Sequence, residues 1–122
     1  MSEILLIDDS PMQLHVREAV LRQAGFSVVT AGTAAQALEL LGAPDDQEHI
    51  RVIVTDHVMP GASGADFVRE LRRLRPTVPV IVVSGLAEAE EEYTELNVSF
   101  LNKPCPPEEL IDTVAKALRD GH

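Results

Sequence analysis

Five short runs of branched aliphatic residues, at 4–7, 27–30, 51–55, 78–83 and 98–101, punctuate the chain, and each is followed by a stretch of helical period. The runs are rich in Val and Ile and mostly continuous rather than alternating, which suits strands covered on both faces. Strand and helix in strict alternation call for an α/β fold: a doubly wound, five-stranded parallel sheet with right-handed crossovers and helices on both faces.

The helical segments carry their own punctuation. Residues 11–24 present Leu14, Val16, Val20 and Leu21, with Ser10 as N-cap, Pro11 in the first turn and Gly25 as the stop. Residues 33–41 present Ala34, Ala37, Leu38 and Leu41; residues 65–74 present Phe67, Val68, Leu71 and Leu74; residues 107–118 present Leu110, Ile111, Val114, Ala117 and Leu118. The segment 86–96 differs, because Glu88, Glu90, Glu91, Glu92 and Glu95 place like charges three and four apart with no cation between them. A short or mobile helix is expected there. Residues 43–48 read as a solvated connection, and Arg69, Arg72, Arg73 and Arg75 as a solvated helix face.

A chain of 122 residues fits one domain with its own core. Its formal charge of -10 sets a whole-molecule field that repels nucleic acid and anionic membrane, so no direct partner of either kind is expected. Cys105 is the one cysteine, which excludes an internal disulfide and fits a reducing, cytoplasmic setting. No apolar run approaches the ~20 residues of a membrane span.

In open α/β sheets, ligands gather outside the carboxyl ends of the strands. The first apolar run ends in Asp8 and Asp9, the third in Asp56, the fourth in Ser84 and Gly85, and the fifth in Asn102 and Lys103. Three carboxylates on one edge raise one another's pKa, and a hard divalent ion bound by oxygens removes that conflict. Mg²⁺ is the natural candidate. The hydroxyl and the ammonium are superfluous for a metal alone; with it, around one carboxylate, they suit the oxygens of a phosphoryl group in transfer, with Asp56 as nucleophile.

The set D-D in the first loop, D-H-V-M-P-G-A-S-G after the third run, S-G after the fourth and F-L-N-K-P at the fifth resembles the receiver domain of two-component response regulators. The resemblance spans the whole chain in order and implies a single receiver domain over 1–122 with the flavodoxin-like strand order 2-1-3-4-5. Asp56 matches the phosphoryl acceptor, fed by a phosphohistidine of a histidine kinase or phosphotransfer protein. Asp9 looks like the direct Mg²⁺ ligand and Asp8 the one acting through water, with the backbone carbonyl of Val58 completing the set. Lys103 matches the lysine that pairs with the acceptor, Pro104 the proline after a cis bond, Ser84 the hydroxyl that binds a phosphoryl oxygen, and Phe100 the aromatic switch. The implied function is a phosphorylation-dependent switch, not an enzyme beyond its own phosphorylation and dephosphorylation. Output would pass through a partner protein, with a phosphorylation-linked homodimer left open, or the chain is a receiver cut from a hybrid kinase.

The sequence departs from the family pattern in three places. The span from Ser84 to Lys103 is a few residues short, Cys105 stands where an aromatic often follows Lys-Pro, and Val58 and Leu86 are apolar where polar residues often flank the attacking water. That last pair predicts a long-lived aspartyl phosphate. Two rivals accompany the reading: a receiver-like binding module that is never phosphorylated, and a phosphatase of the aspartate-nucleophile class, whose D-x-D-x-[TV] after the first strand is here D-D-S-P. Taken singly, His57 reads as a solvated loop residue, Ser10 as a cap that leaves the two aspartates without a structural task, and Cys105 as inert packing.

Overall fold

A computed structural model describes residues 3–42, 49–59, 62–85, 91, 93, 95–103 and 105–120, with backbone alone at 58–59, 62–63 and 120. Strands β1 (Ile4–Ile7), β2 (Val28–Ala31), β3 (Val52–Asp56), β4 (Val80–Ser84) and β5 (Ser99–Asn102) form one sheet. They pair in parallel in the order β2-β1-β3-β4-β5, the expected 2-1-3-4-5. Helices α1 (Pro11–Gln23), α2 (Ala34–Gly42), α3 (Gly64–Leu74) and α4 (Pro107–Asp120) join them.

The continuous apolar runs find their reason in two separate cores. Side chains alternate across a strand. Leu5 and Ile7 of β1 therefore pack with Ile53, Val80 and Val82 against Ala37 and Leu41 of α2 and Phe67, Val68 and Leu71 of α3. Ile4 and Leu6 point the other way, packing with Val52, Val54, Ile81 and Val83 against Leu21 of α1 and Leu110 and Val114 of α4. All four β1 residues are fully buried, which an alternating polar strand could not achieve.

Strands β2 to β5 end one residue or more beyond their apolar runs. The cause is the ladder itself: Asp56 pairs with Val83 and Ser84 with Asn102, so polar residues stay hydrogen-bonded at the sheet edge. A feature absent from the sequence reading is a two-residue antiparallel ribbon, Val58–Met59 with Ala62–Ser63, between β3 and α3. Helix α1 closes as expected at Gly25, whose φ of 98° allows Gly25 N to reach Arg22 O at 3.0 Å and Phe26 N to reach Leu21 O at 3.1 Å.

Several surface expectations need correction. Val16, read as inward-facing, is 54% exposed because the α1 stripe that meets the sheet runs through Leu14, Arg17 and Leu21 instead, and Leu74, also read as inward-facing, is 43% exposed at the last residue of α3. Arg72 and Arg75 do not form a solvated face. Arg72 donates to the carbonyls of Leu96, Val78, Asn97 and Arg75 at 2.6 to 3.2 Å, and Arg75 donates to Ile50 O at 2.8 Å. Burial lowers the pKa of both guanidiniums. Arg69 and Arg73 do face solvent, in pairs with Asp66 and Glu70. Most of 86–96, the loop 43–48, and Leu86 and Pro104 lie outside the described residues.

Candidate phosphoacceptor site

Parallel register brings the carboxylates together. Ile7 pairs with Thr55, so the next residues along, Asp8 and Asp56, leave the sheet side by side. One carboxylate oxygen from each of Asp8, Asp9 and Asp56 lies within 4.8 Å of the other two. Asp8 and Asp56 are buried and Asp9 is exposed. Lys103, one residue past β5, crosses β4 to set Nζ 2.9 Å from Asp56 Oδ2, and its own N–H donates to Ser84 O at 3.0 Å.

The acidic group is not left bare. Asp8 Oδ1 accepts from the Ser10 N–H at 2.9 Å, and Asp8 Oδ2 accepts from Arg17 Nη1 at 2.8 Å. Ser10 in turn caps α1, its Oγ accepting from Gln13 N at 3.4 Å. Asp8 thus holds the loop into α1 as well as belonging to the acidic trio, contrary to the reading that gave it no structural task. Burial pushes the Asp8 carboxyl above the usual aspartate value and the charge of Asp56 adds to that, opposed by the Ser10 N–H, Arg17 and Lys103.

Ser84 ends β4 one position past Val83, the ladder partner of Asp56, and is buried. By strand alternation it shares the face of Val80 and Val82, as does half-buried Phe100, which packs on that core. The structure therefore gathers Asp8, Asp9, Asp56 and Lys103 at one point and places Phe100 on the opposite side of the sheet. Val58 begins the short ribbon two residues after Asp56.

Sequence reasoning missed two residues here. His57 is buried rather than solvated, its Nδ1 hydrogen-bonded to Tyr93 Oη at 2.8 Å. Tyr93 also meets Phe100 edge to face at 5.3 Å between ring centres, so His57, the residue after Asp56, reaches Phe100 through one ring. Arg17 was the second omission. Its spacing of three and four from Leu14 and Leu21 placed it on the inner stripe, but its charge argued for the outside. Cys105 is half-buried among Val16, Val83 and Leu110, and burial pushes its thiol pKa up, with Glu109 adding and Arg17 opposing.

The response regulator receiver domain family matches residues 4–115, and the chain belongs to that family. The hydrogenase transcriptional regulatory protein HoxA of Bradyrhizobium diazoefficiens is 32% identical over 120 residues, 95% of this chain and 24% of that protein. A response regulator receiver domain protein from Clostridium thermocellum superposes with a TM-score of 0.87 at 27% identity, covering 98% of this chain and 95% of that one. The chemotaxis protein CheY4 of Vibrio cholerae does so with a TM-score of 0.82 at 27% identity, covering 97% and 99%. The chain spans about a quarter of the length of the HoxA and DctD relatives it matches. No helix among the described residues is long and apolar enough to cross a membrane.

Proposed function

We propose that this chain is a phosphorylation-dependent signalling switch that accepts a phosphoryl group on Asp56 from a phosphohistidine of a sensor kinase or phosphotransfer protein. The observation that carries the reading is the 2.9 Å contact between Lys103 Nζ and Asp56 Oδ2 beside the Asp8 and Asp9 carboxylates. A carboxylate attacks in its ionised form, and Lys103 sets a positive charge 2.9 Å from the Asp56 oxygen where the negative charge of the phosphoryl group would arrive. An Asp56 oxygen attacks phosphorus, the O–P bond forms as the N–P bond of the donor breaks, and the imidazole leaves with the electron pair and takes a proton from solvent. Lys103 then faces the new phosphoryl oxygens, and the Ser84 hydroxyl donates to one of them.

Three hard oxygen donors that converge with more negative charge than their two cationic partners offset fit a divalent ion well. Asp8, Asp9, Asp56 and the Val58 carbonyl would hold Mg²⁺, which when bound supplies positive charge against the equatorial phosphoryl oxygens. The charge added at Asp56 draws Ser84 toward it, and Phe100 follows with Tyr93, altering the surface read by a partner. We read 1–122 as a single receiver domain working in the cytoplasm through a partner protein, catalysing only its own phosphorylation and dephosphorylation. The relatives named as transcriptional regulators are far longer, so the output module is a matter for the partner or the rest of a longer chain.

Intact-mass analysis after incubation with acetyl phosphate and Mg²⁺ tests this. Wild type gains one phosphoryl group and Asp56→Asn gains none. Equal labelling of both, or turnover of a generic phosphate ester in place of labelling, defeats the reading.

A further inference from the structure

Arg17 is the one buried charged residue of α1, set between Leu14 and Leu21 and 9% exposed. A guanidinium at such a place needs a compensating anion, because an unpaired buried charge is costly. Its Nη1 lies 2.8 Å from Oδ2 of Asp8, a carboxylate 1% exposed. The strand alternation that buries Leu6 and Val54 on the α1 side also sends Asp8 and Asp56 to that side, within reach of the helix.

The consequence is electrostatic. Three carboxylates meet two cations, Lys103 on Asp56 and Arg17 on Asp8, so the nest carries about one net negative charge instead of two. Both Asp8 oxygens also have donors, Ser10 N on Oδ1 and Arg17 on Oδ2. We propose that Arg17 is a positioning residue that serves as a built-in counter-ion of Asp8, holding that carboxylate toward α1 and opposing divalent-ion binding at the Asp8, Asp9 and Asp56 group. This inference rests on the metal reading given above and concerns what sets its strength. Lys103 answers the acceptor; Arg17 answers the metal ligand. The nest therefore keeps only about one net negative charge when no divalent ion is bound, and the switch loads only where Mg²⁺ is plentiful.

The test is titration of the purified chain with Mg²⁺ by calorimetry, with melting temperature followed in EDTA and in saturating Mg²⁺. Arg17→Met keeps an unbranched side chain that can fill the stripe. It should bind Mg²⁺ roughly tenfold tighter or more, since a like charge beside the ion is removed. It should also melt lower than wild type in EDTA and gain more from Mg²⁺. Arg17→Lys, which keeps charge but loses the planar fork, should fall between. Arg22→Met, on the same helix but paired with Glu18, should bind Mg²⁺ as wild type does. If Arg17→Met does not fold in EDTA, Arg17→Lys alone decides: tighter binding supports the proposal and unchanged affinity overturns it. Equal or weaker binding by Arg17→Met, or an equal rise in Arg22→Met, overturns the counter-ion role while leaving the metal site standing. Absence of Mg²⁺ binding in every variant overturns both.

Discussion

Gly64, the first residue of α3, offers a sharp test of how tightly Asp56 is seated. An added Cβ would stand 2.9 Å from the Asp56 carbonyl oxygen and 2.9 Å from His57 Cα, and would also collide with Tyr93 Oη. Ordinary contact distances are about 3.5 Å or more, so two backbone atoms would each have to retreat by about half an ångström. Neither can do so cheaply, for His57 N is bonded to Val83 O at 3.1 Å and Gly64 N to His57 O at 2.7 Å. Overpacking of this kind costs about 1–3 kcal/mol, against which the gain in helix propensity for Ala is less than about 1 kcal/mol. A net loss of about 1–2 kcal/mol corresponds to a fall of about 4–8 °C in Tm for a chain of this size. Gly64→Ala should show that fall by circular dichroism and should take up phosphoryl groups more slowly, because Asp56 and the Tyr93 bond to His57 both shift. Gly42→Ala is the control, since a Cβ there meets nothing within 4 Å. Melting of Gly64→Ala within about 2 °C of wild type, with unchanged phosphorylation, would refute the close-approach argument.

Three further outcomes follow from other contacts. Arg72→Met should lose about 2–3 kcal/mol in urea unfolding, because four carbonyls lose a charged donor and the turn holding Glu95 and Asn97 at φ 69° and 57° loses its clamp; Arg72→Lys should not restore it. Burial raises the Cys105 thiol pKa and thereby disfavours the thiolate, so alkylation should reach half its maximal rate at a higher pH than for a free cysteine peptide. Glu109→Gln should bring that midpoint down, and a Cys105 as reactive as the peptide at every pH would contradict the assignment. For the aspartyl phosphate, Val58→Asn should decay several-fold faster than wild type in Mg²⁺ buffer; equal decay would remove the apolar fence as the cause of a long lifetime.

The architecture was legible because both faces of the sheet are covered: four consecutive apolar residues in Ile4–Ile7 suit a strand buried on both sides. The acidic trio and Lys103 were legible for a related reason, since polar residues that interrupt such runs fall at strand ends. Arg17 and His57 were not. Each is polar and locally ordinary, and only a partner distant in sequence, Asp8 across the loop or Tyr93 some 36 positions away, accounts for its burial. The ribbon at Val58–Met59 and Ala62–Ser63 escaped because two-residue pairings leave no periodic trace. Arg72 was misjudged because four carbonyl acceptors, and not a carboxylate, receive it.

The sheet also separates the proposed phosphoacceptor group from the proposed switch. Asp8, Asp56 and Lys103 work on the side of α1 and α4, whereas His57, Tyr93 and Phe100 belong to the layer of α2 and α3. The two layers meet along the ladder of β3, β4 and β5, where His57 N donates to Val83 O and Lys103 N to Ser84 O. On the function proposed above, substitutions in the layer of α2 and α3 can change what a partner meets without touching the carboxylates or Lys103.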